Sequence, residues 1–364
     1  MLFMSTPIRR FLSYVFVAAL LISSPLRSFA QADHDSVAEE VNAAEHELEH
    51  RLEENEEDFN IGEMIMHHIA DSHEWEFAHG VVLPLPVILY SPDRGLEVFM
   101  SSKFHNNDHE YQGYHLIHGD SEEIVPADES RTVYDLSITK NVASMLLSAI
   151  ILVLIFGSVA SAYNNRKGKA PRGFQSAMEV LILFIRDEVV KPNIGPNYQK
   201  YLPYMLTLFF FILVNNLLGL LPGAANVTGN IAITMTLAVI TFLIVHFNSN
   251  KHYWMHLVKP TGVPLALLPI MIPVEIVGVF MKPFSLMIRL FANMTAGHII
   301  LLSLFGLIFI FKSIFVAPVV SAFALFMNFI EIMVAFIQAF IFTLLSAMYI
   351  GSAIEDNHEA DHGM

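Results

Sequence analysis

Five long apolar stretches constrain the fold of this chain more than any other feature of its 364 residues. They cover residues 142–162, 202–221, 231–247, 263–311 and 314–352. A helix needs ~20 apolar residues to cross the ~30 Å hydrocarbon layer of a bilayer. The 54% hydrophobic content and the mean hydropathy of +0.51 are also typical of a membrane protein. We therefore predict an all-α polytopic membrane protein with about five membrane helices, and we expect no nucleic-acid partner.

The first 30 residues have the three parts of a secretory signal peptide. Arg9 and Arg10 precede an apolar segment, residues 11–22, and residues 28–30 provide a small-x-small cleavage site. The apolar segment is about a dozen residues long, which is too short to span a bilayer. We predict that residues 1–30 are removed and that the mature chain begins near Gln31.

Residues 31–140 form an acidic, histidine-rich segment that precedes the first apolar stretch. Within it, residues 80–104 contain two extended runs separated by a turn at residues 91–95, which predicts a small β-containing element. The histidines of this segment include His67, His68, His73, His79, His105, His109, His115 and His118. Imidazoles suit zinc or copper, but no pair has a spacing that specifies a site, and cysteine is absent. We predict neither a metal site nor a cofactor.

Basic residues indicate how the chain crosses the membrane. Cytoplasmic loops are enriched in lysine and arginine. Basic residues follow the first and third stretches: Arg166, Lys167, Lys169 and Arg172 after the first, and Lys251 and Lys259 after the third. These loops are predicted to be cytoplasmic, so residues 31–140 lie outside. Residues 174–185 have apolar side chains at helical spacing and predict an amphipathic helix at the cytoplasmic interface.

The last two stretches are too long for one perpendicular span each. Either each contains two spans, or each forms one long, strongly tilted helix. Pro264, Pro269, Pro273 and Pro283 allow bends. Lys312 is the only charge between the two stretches, which favours a single outer turn and a cytoplasmic C-terminus.

Arg289 lies inside the fourth apolar stretch, far from either end. An arginine at the centre of a membrane helix costs roughly 2.5–3.5 kcal/mol on insertion scales, so such residues usually have a function. Glu275 and Lys282 precede it at intervals of seven and nearly share its helix face, and Ser285 and Asn293 flank it by four residues on either side. One polar stripe therefore passes through an otherwise apolar segment.

The final stretch contributes a second polar face. Glu331 and Gln338 are seven residues apart and share one side of a helix. Packing of this helix against the previous one could bring them beside Asn293, His298 and Arg289. A buried glutamate close to a histidine can exchange protons near neutral pH, and intramembrane ionisable groups usually mark ion paths.

The string RLFANMTAGH around Arg289, the preceding KPFS and Glu275, and the EIMVAFIQAFIFTLL run from Glu331 resemble the subunit a family of F-type ATP synthases. The likeness extends over most of residues 140–356, including PRGFQSAMEV and LPYMLTLFFFILVNNLLGLLP. In one respect the chain departs from many bacterial members, which have glutamate at position 298 and histidine at position 331. The two residues are interchanged here.

The resemblance implies a non-catalytic stator subunit that carries protons past a rotating c-ring. Arg289 would face the ring carboxylate and separate two half-channels. Asn293, His298, Glu331 and Gln338 would line the outer half-channel, and Glu275 and Ser285 the cytoplasmic one. The expected partners are c-ring subunits, the subunit b stalk and the other ATP synthase subunits, in a bacterial inner membrane. The family fold also implies that the last two helices form a long tilted hairpin against the ring.

These inferences predict a signal peptide at 1–30, an extracytoplasmic segment at 31–140, a membrane domain at 141–356 and a cytoplasmic tail at 357–364. Two other functions fit the residues alone. A self-contained proton-coupled transporter would also contain intramembrane arginine, glutamate and histidine, although no internal repeat is evident. A metal-handling membrane protein would use the histidine-rich outer segment.

Overall fold

The computed structural model describes residues 62, 69–78, 81–105, 110–118, 122–128, 131–165, 168–221, 223–259, 264–311 and 316–354. The predicted signal peptide and tail lie outside these residues, as do His67, His68, His79, His109, Arg166, Lys167 and Lys312. Contacts divide the chain into two compact units. The side-chain contacts discussed below lie within the larger one, residues 63–302 and 324–364.

Short antiparallel strands dominate the described residues before the first long helix. The strands are β1 (Glu74–Ala78), β2 (Val81–Pro84), β3 (Pro86–Ser91), β4 (Gly95–Met100), β5 (Glu110–Tyr111), β6 (Tyr114–His118), β7 (Glu122–Pro126) and β8 (Tyr134–Asp135), with a short helix α1 (Ser102–His105) after β4. They form three sheets with the orders β1-β2, β4-β3-β8 and β5-β6-β7. We call the described part of residues 69–139 the β-domain. The predicted turn at residues 91–95 is confirmed, because it joins β3 to β4.

The β-domain has its own small apolar core. Alternate residues of β3 point inward, and Val87 and Leu89 are fully buried. They pack with Phe104, Tyr114 and Ile124 from α1, β6 and β7. A strand with one buried face requires this alternation of inward and outward side chains.

Helices make up the rest of the described chain. They are α2 (Lys140–Asn165), α3 (Phe174–Phe184), α4 (Lys191–Ile194), α5 (Tyr198–Gly219), α6 (Ile231–Phe247), α7 (Lys251–Val258), α8 (Leu268–Phe311) and α9 (Val316–Ile354). A π-helical segment, Ile185–Val190, joins α3 to α4. Four described helical segments are long and apolar enough to cross a membrane, or five if α6 and the bent α7 count as one span. This agrees with the predicted polytopic all-α membrane fold.

The segment before α5 is more continuous than the sequence predicts. The predicted amphipathic helix, α3, runs through the π-helical segment and α4 almost to the start of α5. Gly195 has a φ of +74° and makes the turn between α4 and α5, a conformation that glycine adopts without steric cost. Phe174 and Phe184 are exposed whereas Gln175 is buried, which suits a helix whose apolar face contacts lipid.

The β-domain is tied directly to the first membrane helix. The Asp71 carboxylate accepts hydrogen bonds from the backbone N–H of Asn141 (3.1 Å) and the hydroxyl of Thr139 (2.8 Å). The backbone N–H of Lys140 donates to the carbonyl of Ser72 at 2.8 Å. An acceptor carboxylate at the first turn of α2 satisfies donors that the helix itself leaves unpaired.

Each of the two long stretches near the C-terminus forms one helix, the alternative that the family resemblance favoured. α8 has 44 residues and α9 has 39. Pro273 and Pro283 lie inside α8 without interrupting it. At 1.5 Å per residue both helices are far longer than the ~30 Å hydrocarbon layer. They must therefore tilt strongly or extend into water.

Candidate functional site at a buried helix hairpin

α8 and α9 pack antiparallel, and two contacts set their register. At one end, a Cβ atom added to Gly297 would overlap the Glu331 carboxylate and lie 3.1 Å from its Cγ. At the other end, the Lys282 ammonium lies 5.4 Å from the centroid of the Tyr349 ring, within cation–π range. These contacts lie on opposite sides of Arg289 along α8, so the hairpin is fixed both before and after it.

Arg289 lies near the middle of α8, on an exposed face. The other members of this face are Ile288, Ala292, Asn293 and Ala296, and all are exposed. The opposite face is buried against the helix bundle. Within the described part of the chain, Arg289 forms no ion pair with a carboxylate. A permanent charge and two alanines on an exposed face suit close approach by another helix that carries an acid.

Glu331 lies in the interior of the hairpin. Its side chain is 7% exposed, and both carboxylate oxygens are buried without a hydrogen-bond partner among the described residues. It fits against α8 because position 297 is glycine, and the next residue is the half-buried His298. An isolated buried carboxylate is costly, so this position suits a group that takes up a proton and passes it on.

Gln338 also faces inward, 6% exposed, two turns after Glu331 on the same side of α9. Asn293 differs from these two residues because its side chain is exposed on the face that carries Arg289. The structure therefore brings Glu331 beside the segment that contains His298, an arrangement that the sequence left open. It places Asn293 at the edge of the hairpin rather than inside it.

A cavity of about 270 Å³ lies on the other side of Arg289 along α8. Glu275 and Lys282 line it from α8, and Ser352 lines it from α9. Ser285 is half-buried one turn before Arg289. The predicted site does not include the two histidines that line this cavity, His252 and His256 of α7. Their spacing of four residues places both on one side of that helix, which is the only sequence signal that could have found them.

No described group of three histidine, aspartate or glutamate side chains could hold a metal ion. His73, one of the histidines noted in the sequence, instead pairs with two acids. Its Nε2 lies 3.0 Å from Asp135 Oδ2, and its Nδ1 lies 3.6 Å from Glu122 Oε2. Burial alone would lower the pKa of His73, but the hydrogen bonds and charges of both acids outweigh it and raise the pKa to about 9.

Two family models match this chain. The family model described as ATP synthase A chain matches residues 142–351, which include the whole region around Arg289 and the hairpin. The chain belongs to the ATP synthase A chain family. A second family model, described only as a domain of unknown function, matches residues 64–144 and so covers the β-domain.

Relatives in the ATP synthase A chain family extend the match over most of the chain. An ATP synthase subunit a from Chlorobium phaeobacteroides (strain BS1) is 43% identical over 336 residues, which is 90% of this chain and 87% of that protein. One from Chloroherpeton thalassium is 50% identical over 238 residues, or 63% and 71% of the two chains. One from an Anaeromyxobacter species is 38% identical over 319 residues, or 84% and 74%.

Proposed function

We propose that this chain is the stator subunit that conducts protons past the rotating c-ring of an F-type ATP synthase and so couples proton flow to ATP synthesis. Membership of the ATP synthase A chain family supports this role. The observation that carries the detailed proposal is the arrangement along α8. An exposed arginine, Arg289, separates a buried carboxyl group on one side from a polar cavity on the other.

In this proposal the outer half-channel runs along the hairpin through Asn293, His298, Glu331 and Gln338. A buried carboxyl group beside a histidine segment provides two groups that exchange protons near neutral pH. The glutamine amide can orient either of them through hydrogen bonds. The interchanged residues at positions 298 and 331 keep the same two kinds of proton carrier.

The cytoplasmic half-channel includes Glu275 and Ser285. The cavity that Glu275 lines supports this assignment because it supplies polar space on α8 beyond Arg289. Glu275 precedes Arg289 by 14 positions, or ~21 Å along the helix. We add His252 and His256 to the proposed cytoplasmic half-channel, because they line the same cavity as Glu275.

Arg289 would act by charge rather than by proton transfer. Its guanidinium stays protonated at any physiological pH, so it favours the ionised form of a ring carboxylate that passes it. The same fixed charge prevents protons from moving directly between the half-channels. The partners proposed on this basis are the c-ring, the subunit b stalk and the remaining ATP synthase subunits.

The proposed location is a bacterial inner membrane, with the β-domain outside and the C-terminus in the cytoplasm. Lys251 and Lys259 support this orientation, because lysines are enriched on the cytoplasmic side. Lys251 begins the bent segment α7 and Lys259 follows it, at the end of α6 away from the loop that contacts Trp75 of the β-domain. No observation favours a self-contained transporter over this assignment.

The test compares Arg289→Ala with Arg172→Ala, which removes an exposed arginine before α3, in inverted vesicles that contain the whole ATP synthase. We expect Arg289→Ala to abolish ATP-driven proton pumping and to increase passive proton leak. Arg172→Ala should leave both close to wild type. Intact coupled pumping in the Arg289→Ala vesicles would overturn the proposal.

A further inference from the structure

The β-domain makes a specific contact with the outer loop of the membrane bundle. Trp75 of β1 is 6% exposed, and its indole Nε1 donates a hydrogen bond of 2.8 Å to the carbonyl of Gly223. Gly223 lies in the loop between α5 and α6, and we call its described residues, 220–221 and 223–230, the outer loop. A buried indole N–H normally requires such an acceptor, so the contact fixes Trp75 and the loop together.

The outer loop is folded rather than open. Its 3-10 turn, Val227–Gly229, is held by Asn226, whose Oδ1 accepts a hydrogen bond of 3.0 Å from the backbone N–H of Gly229. Val227 and Thr228 are fully buried. A loop with buried side chains and its own cap is compact, so it can hold the segments that it contacts at a fixed spacing.

One branch of hydrogen bonds runs from this loop to α9. The Thr228 hydroxyl donates to Asn216 Oδ1 at 2.7 Å, and Asn216 Nδ2 donates to the Ala335 carbonyl at 3.1 Å. Thr228, Asn216 and Ala335 are all fully buried. Ala335 lies one turn after Glu331 and nearly one turn before Gln338, so this branch ends between the two inward-facing polar residues of α9.

A second branch runs from the same loop to α8. The Thr295 hydroxyl donates to the carbonyl of Gly229 at 3.3 Å. Thr295 lies between Asn293 and His298 in the sequence. The outer loop is therefore bonded to both helices of the hairpin at the level where Glu331 meets Gly297.

We propose that the β-domain is a brace for the outer half-channel. Through Trp75 and the outer loop it holds α8 and α9 at the spacing that keeps Glu331 beside the His298 segment. Trp75, Thr228 and Asn216 are then positioning residues, since none of them needs to carry a proton. This assignment rests on the proposed proton path, and it gives a role to the segment that matches a domain of unknown function.

The geometry at Gly297 explains why such a brace has a measurable effect. Glu331 is in van der Waals contact with the α8 backbone because position 297 has no side chain. A proton relay needs hydrogen-bond distances between its groups, and small displacements lower its rate strongly. Loosening the outer loop would separate the two helices at this contact without altering Arg289 or the cytoplasmic cavity.

The test uses the assembled ATP synthase in vesicles and measures ATP synthesis as a function of the pH on the side of the β-domain. Trp75→Phe keeps the ring and removes the donor, and Thr228→Val keeps the shape and removes the hydroxyl. Thr236→Val is the matched control, because among the described residues the Thr236 hydroxyl bonds only within its own helix, to the Ala232 carbonyl at 2.8 Å. We expect each test variant to slow synthesis by about threefold to fifteenfold, if one lost hydrogen bond here has the effect of one lost between helices in a membrane.

Two readouts separate positioning from a general loss of stability. In both test variants the plot of synthesis rate against pH should shift along the pH axis. A smaller number of assembled complexes would only lower the rate by the same factor at every pH. Rates are therefore normalised to the amount of complex. The double variant Trp75→Phe/Thr228→Val should be no slower than the slower single variant, because both changes interrupt the same path. If Trp75→Phe reduces assembly, the result for Thr228→Val alone decides between the two explanations.

Additive effects, unshifted profiles, or an equal loss in Thr236→Val would each overturn the brace. Arg289→Ala measured in the same vesicles keeps the two proposals distinct. Loss of coupling in Arg289→Ala together with wild-type behaviour of the loop variants would refute the brace alone. Wild-type behaviour of Arg289→Ala would refute the proton path itself.

Discussion

The ion-paired histidine of the β-domain should make the stability of that domain depend on pH. His73 is 2% exposed and lies between Glu122 and Asp135, and these acids raise its pKa from 6.5 to about 9. A group whose pKa is raised by folding stabilises the folded state when it is protonated. The stabilisation is complete below pH ~6.5 and is lost as the pH rises through about 9.

The size of this effect follows from the pKa difference. Since one pKa unit corresponds to about 1.4 kcal/mol, a change from 6.5 to about 9 is worth up to about 3 kcal/mol. The Asp135 side chain is 33% exposed, and solvent screening weakens the pairing of exposed groups. We therefore expect the free energy of local unfolding to fall by about 2 kcal/mol over this range.

Amide hydrogen exchange of the assembled complex measures this quantity directly. Peptides from the β-domain would be followed between about pH 6.5 and pH 9.5, with each rate corrected for the intrinsic pH dependence of exchange. The wild type should lose protection as the pH rises. His73→Gln keeps an N–H donor without the charge, so its protection should start lower and stay flat.

His115→Gln provides the matched control. His115 also pairs with an acid, Glu110, at 3.1 Å, but the two side chains are 37% and 65% exposed. Exposed pairs contribute little to stability, so this variant should follow the wild-type curve. Parallel curves for the wild type and His73→Gln would show that the buried ion pairs do not control the stability of the β-domain.

Three further substitutions test the packing and the proton path. Gly351→Ala would bring a methyl group into the carbonyl of Asn193, and such overpacking destabilises a fold by about 1–3 kcal/mol. The variant should therefore lower the amount of assembled complex, which quantitative immunoblotting of membranes measures. Gly297→Ala would displace the Glu331 side chain and should reduce passive proton conduction in stripped vesicles. Gly278→Ala is the control for both, since no atom lies within 4 Å of its added Cβ. Glu275→Gln should slow ATP-driven pumping without causing a leak, and a leak would contradict its place on the cytoplasmic side of Arg289.

Much of the membrane fold could be predicted from the sequence because helices depend on local spacing and length. The apolar stretch at residues 231–247 coincides with α6, and the stretch at 142–162 lies inside α2. The choice between one and two helices for each C-terminal stretch could not be made from periodicity. Length alone allows both, and the proline positions do not decide between them.

The β-domain was predicted only in part. The hairpin of β3 and β4 is local, with a turn that the residues themselves indicate. The pairing of β3 with β8 joins Leu89 to Asp135 across 46 positions, and no local signal specifies such a register. The same reason explains why His73 appeared in the sequence as a possible metal ligand rather than as the centre of an ion-pair cluster.

The candidate site also combines features that one segment of sequence predicts with features that depend on packing between segments. The stripe of Glu275, Lys282 and Arg289 follows from helical periodicity within one segment. The contact of Glu331 with Gly297 depends on the register between two helices. The hydrogen bonds of Asn216 depend on a third helix and a loop. These residues became visible only once the packing of the helices was known.

A fixed charge separates two half-channels only if the groups on either side of it keep their places. A slip of one helical turn would move α9 by ~5.4 Å along α8. Ala335 would then lie opposite Gly297 in place of Glu331. The Lys282 contact with Tyr349 opposes such a slip on one side of Arg289. On the other side of Arg289 the Glu331 carboxyl group cannot hold the register alone, because in the proposed proton path it also exchanges protons. The hydrogen bonds from the outer loop to Thr295 and, through Asn216, to Ala335 supply that register without taking part in proton transfer, which is the physical reason for a brace at this end of the hairpin.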